Sequence, residues 1–235
     1  MNIDDFITSL DSMLIDDIPV LESNVRFMND SKLRFGNLYP VYIVLFSGMK
    51  DTISRIIRRI TSSEFSHASL TFDLSMKHLY SFGRTGDGLR IESFSNMENV
   101  DTKDNKERYY SSELGYRLYV TFVPKEDYKL IQDKMKWFID NIDKSRFSYE
   151  GLIYTAMGIK HEDPRKYFCS QFITHVLNAG NNQIIDKEPS LVKPYNFTEF
   201  PNFYRVCGGY IGSYNQRAAE KSVKAIYNRV IKKKK

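Results

Sequence analysis

Two side chains in this sequence have the chemistry of a nucleophile and its base. The spacing of Cys169, Phe172, Ile173, Val176 and Leu177 predicts a helix with Cys169 in its first turn. Unpaired N–H groups and the dipole at such a terminus stabilise an anion, which lowers a thiol pKa and makes a nucleophile. The same position also suits a small buried apolar residue on the helix's inner stripe, a common role for a free cysteine. His67 lies in the middle of a predicted strand, on the face shared with Ser69 and Thr71 rather than the apolar face of Ala68, Leu70 and Phe72. A cysteine nucleophile needs an imidazole near it in space, not in sequence. His78 falls at a strand edge, His161 in a turn, and His175 toward the far side of the Cys169 helix. Those three read as structural or solvent-facing.

The elements that must position this pair are legible as changes of period. Val41-Tyr42-Ile43-Val44-Leu45-Phe46 is a continuous apolar run, consistent with a strand buried on both faces. Ser47-Gly48 ends it, and Asp51-Thr52 offers a cap to a helix with Ile53, Ile56, Ile57 and Ile60 on one stripe. Period-two patterning covers residues 65–73, 78–84, 89–94 and 116–123, separated by turn signals such as Thr85-Gly86-Asp87-Gly88. These segments predict a small antiparallel sheet. Residues 95–112 lack periodicity and read as a loop. After Pro124, Tyr128, Ile131, Met135, Phe138, Ile139 and Ile142 form a helical stripe with Trp137 beside it, and a shorter helix follows over 149–158. The Cys169 helix ends at Asn178-Ala179-Gly180, and residues 181–212 read as loop-rich and aromatic.

Taken in order, the strand run from Tyr39, then Phe65-Ser66-His67-Ala68-Ser69-Leu70, Leu79-Tyr80-Ser81-Phe82-Gly83-Arg84 and Tyr167-Phe168-Cys169-Ser170-Gln171-Phe172 resemble a known pattern. They resemble the circularly permuted branch of the NlpC-type papain-like superfamily, which includes YiiX- and YaeF-like proteins and relatives of lecithin retinol acyltransferase. In that branch the strand His precedes the helix Cys. The resemblance covers roughly residues 39–206. It implies an α+β, papain-like antiparallel sheet with the Cys-bearing helix packed against it, and Cys169 and His67 as catalytic residues. It further implies a third polar residue on the strand after the His strand, where Ser81 stands. A hydroxyl orients an imidazole more weakly than a charged acceptor, and Glu92 is the alternative orienter. The implied function is a thiol hydrolase: a cysteine peptidase or amidase, or an acyl hydrolase or acyltransferase, working through a thioacyl intermediate. Its partner would be a peptide-, amide- or acyl-containing substrate. A catalytically degenerate fold serving as a structural or interaction protein is the alternative.

Composition narrows the remaining classes. The 235 residues are 42% hydrophobic and 14% aromatic, which argues against global disorder. Two cysteines, Cys169 and Cys207, rule out a disulfide framework and point to a reducing compartment. There is no run of about 20 apolar residues, and the acidic start Met1-Asn2-Ile3-Asp4-Asp5 is unlike a signal peptide, so a cytoplasmic protein is expected. No Cys/His pair has metal spacing, no glycine-rich loop precedes a helix to hold phosphate, and no cofactor is implied. The net charge is +5, but residues 213–235 alone carry +7, so the rest is slightly acidic at −2. That distribution disfavours nucleic-acid binding by the body. Three segments are expected: an N-terminal helical leader over 1–38, the permuted papain-like domain over 39–212, and a basic amphipathic helix over 213–235. On that last helix Ala219, Val223, Ile226, Tyr227 and Val230 share one face. It either docks on the body or makes a weak contact with an anionic membrane or nucleic acid.

Overall fold

The computed structural model describes residues 33–48, 58, 63–83, 88–94 and 114–232. The predicted leader helices before residue 33, the helix after Asp51 and the 95–112 loop lie outside the described residues.

The fold is α+β, built on a six-stranded sheet in the order β4-β3-β2-β1-β5-β8, with every neighbouring pair antiparallel. Its strands are β1 (Leu38–Ser47), β2 (Phe65–Thr71), β3 (Leu79–Gly83), β4 (Gly88–Glu92), β5 (Gly115–Pro124) and β8 (Tyr204–Tyr210). Strand β1 sits in the interior of the sheet, between β2 and β5. Val41, Ile43 and Leu45 enter a core on one face, and Tyr42, Val44 and Phe46 enter a second core on the other. Burial from both sides is why its sequence is apolar without alternation.

Helices α1 (Lys125–Asp140) and α3 (Cys169–Leu177) contribute to the first core. They bury Tyr128, Ile131, Met135 and Phe138 from one helix, and Phe172, Ile173, Val176 and Leu177 from the other. Between them, the short helix α2 (Tyr149–Ala156) starts at Ser148, whose hydroxyl accepts the Gly151 N–H at 3.0 Å. Two-residue strands β6 (Arg146–Phe147) and β7 (Lys166–Tyr167) pair in parallel and lead the chain into α3. The second core is closed by α4 (Gln216–Lys232), which buries Ala219, Val223 and Ile226. The basic C-terminal helix is therefore docked on the sheet.

One element departs from the sequence reading. Residues 181–212, expected to be loop-rich, contain β8 on the sheet's outer edge. Its pattern is weak because Val206 is the one buried residue of the strand, and because Gly208-Gly209 reads as a turn. Gly208 is needed there, since a Cβ would stand 2.9 Å from the Tyr116 carbonyl oxygen on β5.

Candidate active site

Helix α3 opens without a side-chain cap. Its N-cap residue is Phe168, which has no oxygen to offer, so the first N–H groups need other acceptors. The Cys169 thiol lies near the backbone N–H groups of Cys169 and Ser170 and, across to the sheet, that of Ala68 on β2, all of which favour its thiolate. The start of the helix thus packs beside β2, one residue beyond His67.

Two irregularities in β2 shape this spot. Phe46 of β1 pairs with His67 and Ser47 with Phe65, so Ser66 is an extra residue and forms a bulge directly before His67. On its other side β2 shares a single ladder pair with β3, Leu70↔Tyr80. The edge of β2 near Ala68 therefore meets the start of α3 rather than a continuous ladder.

His67 is half-buried, its ring 6.0 Å from that of Phe46, on the second-core side of the sheet. Its Nε2 lies 3.1 Å from the hydroxyl of Ser81 on β3. Ser81 is fully buried and stands between Tyr80 and Phe82, both of which point into the first core. The structure thus brings His67 and Ser81 together, and brings Cys169 to the main chain beside His67. Glu92, the alternative orienter, closes an ion pair at 2.9 Å with Arg90, which stands opposite Ser81 on the β3–β4 ladder.

The electrostatics of Cys169 differ from the expectation drawn from its position. Its thiol pKa is pushed up to about 11, because burial opposes the thiolate more strongly than the three N–H donors favour it. With 4% of its surface exposed, desolvation wins over the helix terminus. Cys207, on β8, is also raised by burial and lies 3.8 Å from the Tyr116 hydroxyl.

Two of the other three histidines have local packing partners. His161 stacks on Tyr154 with centroids 4.6 Å apart. His175 packs edge-on against Tyr167 and stands 3.6 Å from Glu162, with its pKa lowered by burial and by the Lys134 charge. Among the described residues no group of His, Cys, Asp and Glu converges to hold a metal ion. No described helix is long and apolar enough to cross a membrane.

The segment after α3 is tied back to the helices by buried bonds. Ser170 Oγ donates to the Val192 carbonyl at 2.6 Å, and Thr155 Oγ1 to the Ser190 carbonyl at 2.6 Å. Asn178 accepts from the N–H groups of Ile184 and Ile185 and donates to the Ile185 carbonyl. The sequence reading missed these anchors and the Ala68 donor. A backbone N–H leaves no mark in residue type, whereas the polar Ser170 beside Cys169 was a readable signal for one anchor.

No protein-family model matches the chain, and no curated protein matches it.

Proposed function

We propose that the chain is a cysteine hydrolase or acyltransferase acting on an amide, peptide or ester carbonyl, with Cys169 as nucleophile, His67 as base and Ser81 orienting the imidazole. One observation carries this reading: the thiol at the start of α3 lies near the backbone N–H of the residue after His67, and His67 Nε2 is itself 3.1 Å from the Ser81 hydroxyl. A buried neutral thiol needs a base at the moment of attack. The thiol proton would pass to the His67 imidazole. The sulfur would then add to the carbonyl carbon, and the N–H groups of Cys169 and Ser170 would be donors to the resulting oxyanion. Collapse of that adduct breaks the bond to the leaving group, which takes the proton from His67. Water or another acceptor then cleaves the thioester and returns the proton by the same route.

A second reading, a structural or interaction protein that retains the fold without the activity, is favoured by the placement of the two side chains. His67 is on the second-core side of β2, whereas α3 packs on the first. Thiol labelling separates the two. In the enzyme, iodoacetamide modifies Cys169 faster than Cys207, and His67→Ala slows Cys169 alone. Labelling of Cys169 that ignores His67 overturns the enzymatic reading.

A further inference from the structure

We propose that the outward face of α4 is a docking surface for an anionic lipid bilayer. The helix buries Ala219, Val223 and Ile226 against the sheet and is held by two tyrosine hydroxyls. Tyr214, just before it, donates to the Leu74 carbonyl at 2.6 Å, and Tyr227 donates to the Phe35 carbonyl at 2.9 Å. Its orientation on the body is therefore fixed.

The opposite face carries three basic side chains in a row. Arg217, Lys221 and Lys224 are exposed and recur at i, i+4 and i+7, which puts them along one line of the helix. None of the three is paired with an acidic side chain among the described residues. The one acidic residue of the helix, Glu220, accepts instead from Gln216 at 2.9 Å. The sequence continues the basic run with Lys232, Lys233, Lys234 and Lys235. At 1.5 Å per residue, the helical stretch from Arg217 to Lys232 spans roughly 22 Å.

Three features favour a lipid surface over other anionic partners. The rest of the chain is near neutral, so the net positive charge belongs to this segment, and a planar surface can meet the line of Arg217, Lys221 and Lys224. The segment is rich in lysine, with six Lys to two Arg. Lysine suits a diffuse negative field, whereas the guanidinium fork suits individual phosphates and bases. The other exposed side chains over residues 217–225 are Ala218 and Ala225, which provide no aromatic platform for bases. The apolar face of α4 is already buried in the fold, so attachment is electrostatic and peripheral, without insertion.

The test is co-sedimentation of the full chain with vesicles of phosphatidylcholine, alone or mixed with phosphatidylserine, at low and moderate salt. The chain should bind only the anionic vesicles and weaken as salt rises. Replacing Arg217, Lys221 and Lys224 together by Glu should lower that affinity at least about a hundredfold, at roughly fivefold per charge. The same charge change made on other exposed positions, Lys129→Glu, Lys136→Glu and Lys144→Glu, should alter it only a few-fold. Should the triple α4 variant fail to fold, Lys221→Gln and Lys224→Gln should each cost roughly fivefold. A chain that ignores anionic vesicles at low salt overturns the proposal, as does an α4 variant that folds and binds undiminished. Binding to duplex DNA in place of vesicles, lost in the same variant, overturns it in favour of a nucleic-acid surface.

Discussion

Nε2 of His67 and Oγ of Ser81 lie 3.1 Å apart, joining β2 to β3 where the two strands share a single ladder pair. Two side chains take over there from the backbone. The start of α3 packs beside this edge of β2. A structural role and a chemical role for the bond separate experimentally.

Ser81→Ala removes a buried partner of the imidazole and should cost about 1–3 kcal/mol of stability, read by urea unfolding. If Ser81 also orients the base, the same variant should slow iodoacetamide labelling of Cys169 by about tenfold or more. It should also shift the pH dependence of that labelling. Ser81→Asn, which keeps an acceptor, should recover part of the rate. A variant that loses stability but labels at the original rate and pH profile assigns the bond to structure alone.

The raised thiol predicts an alkaline instability of known sign. The ordinary value is 9.0 and the folded value about 11, so between them the unfolded chain has released a proton that the folded chain keeps. The associated stability is intact below about pH 9 and is lost as pH rises toward 11, by about 2–3 kcal/mol. Tyr42, Tyr116 and Tyr214 are raised as well, all chiefly by burial, and add to the alkaline loss. They are common to the wild type and to Cys169→Ala. The difference between the two unfolding free energies, followed from pH 8 to 11, should therefore report the thiol alone. A constant difference would mean that the thiol titrates normally.

Residue pattern made the centre of this fold readable and left its junctions obscure. The run from Val41 to Phe46 announced a strand covered on both sides, and the stripe Cys169, Phe172, Ile173, Val176 and Leu177 announced α3, because burial imposes composition and period. The bulge at Ser66 left no comparable trace, since register depends on the partner strand and not on local residue type. For the same reason β8 was hidden: one buried valine and two glycines do not make an alternation. Cys169 shows the limit at the site itself. Its place in the first helical turn was legible, but the sign of its pKa shift was not, because the helix terminus is local and the desolvation comes from tertiary packing. The stripe on α4 was legible too. The surface that receives it was not.

Asp127 should govern the acid side of the stability curve. Its carboxylate, buried in the first turn of α1, accepts from the Asn181 N–H at 2.8 Å and from Asn182 Nδ2 at 2.7 Å. The Asn182 side chain is the main reason that its pKa lies below the ordinary carboxylate value. A depressed folded pKa contributes stability that is present above the unfolded value of about 4 and is lost as pH falls through the folded one. Asp127→Asn cannot accept at both oxygens, and should cost about 1–3 kcal/mol at neutral pH. It should also flatten the acid limb of the unfolding curve. A full acid limb in the variant would place that sensitivity in other carboxylates.

The last prediction contrasts two aromatic rings that flank Phe138. Phe172, on α3, is fully buried, with its ring 5.0 Å from that of Phe138 and 5.1 Å from that of Phe82 on β3. Trp137 touches Phe138 from the solvent side at 5.1 Å and is 45% exposed, with the Lys134 ammonium 4.6 Å above its ring. Both make edge-on or tilted contacts of similar length, so ring geometry alone would rank them together. Burial ranks them apart. Phe172→Ala leaves a cavity between α3, α1 and the sheet that close packing cannot refill, at a cost of about 3–5 kcal/mol. Trp137→Ala exposes little that water did not already reach and loses a partly solvated cation–π contact, at about 1 kcal/mol or less. Urea unfolding of the two variants should separate them by at least about 2 kcal/mol. Equal losses would mean that the Trp137 side of α1 is covered in solution.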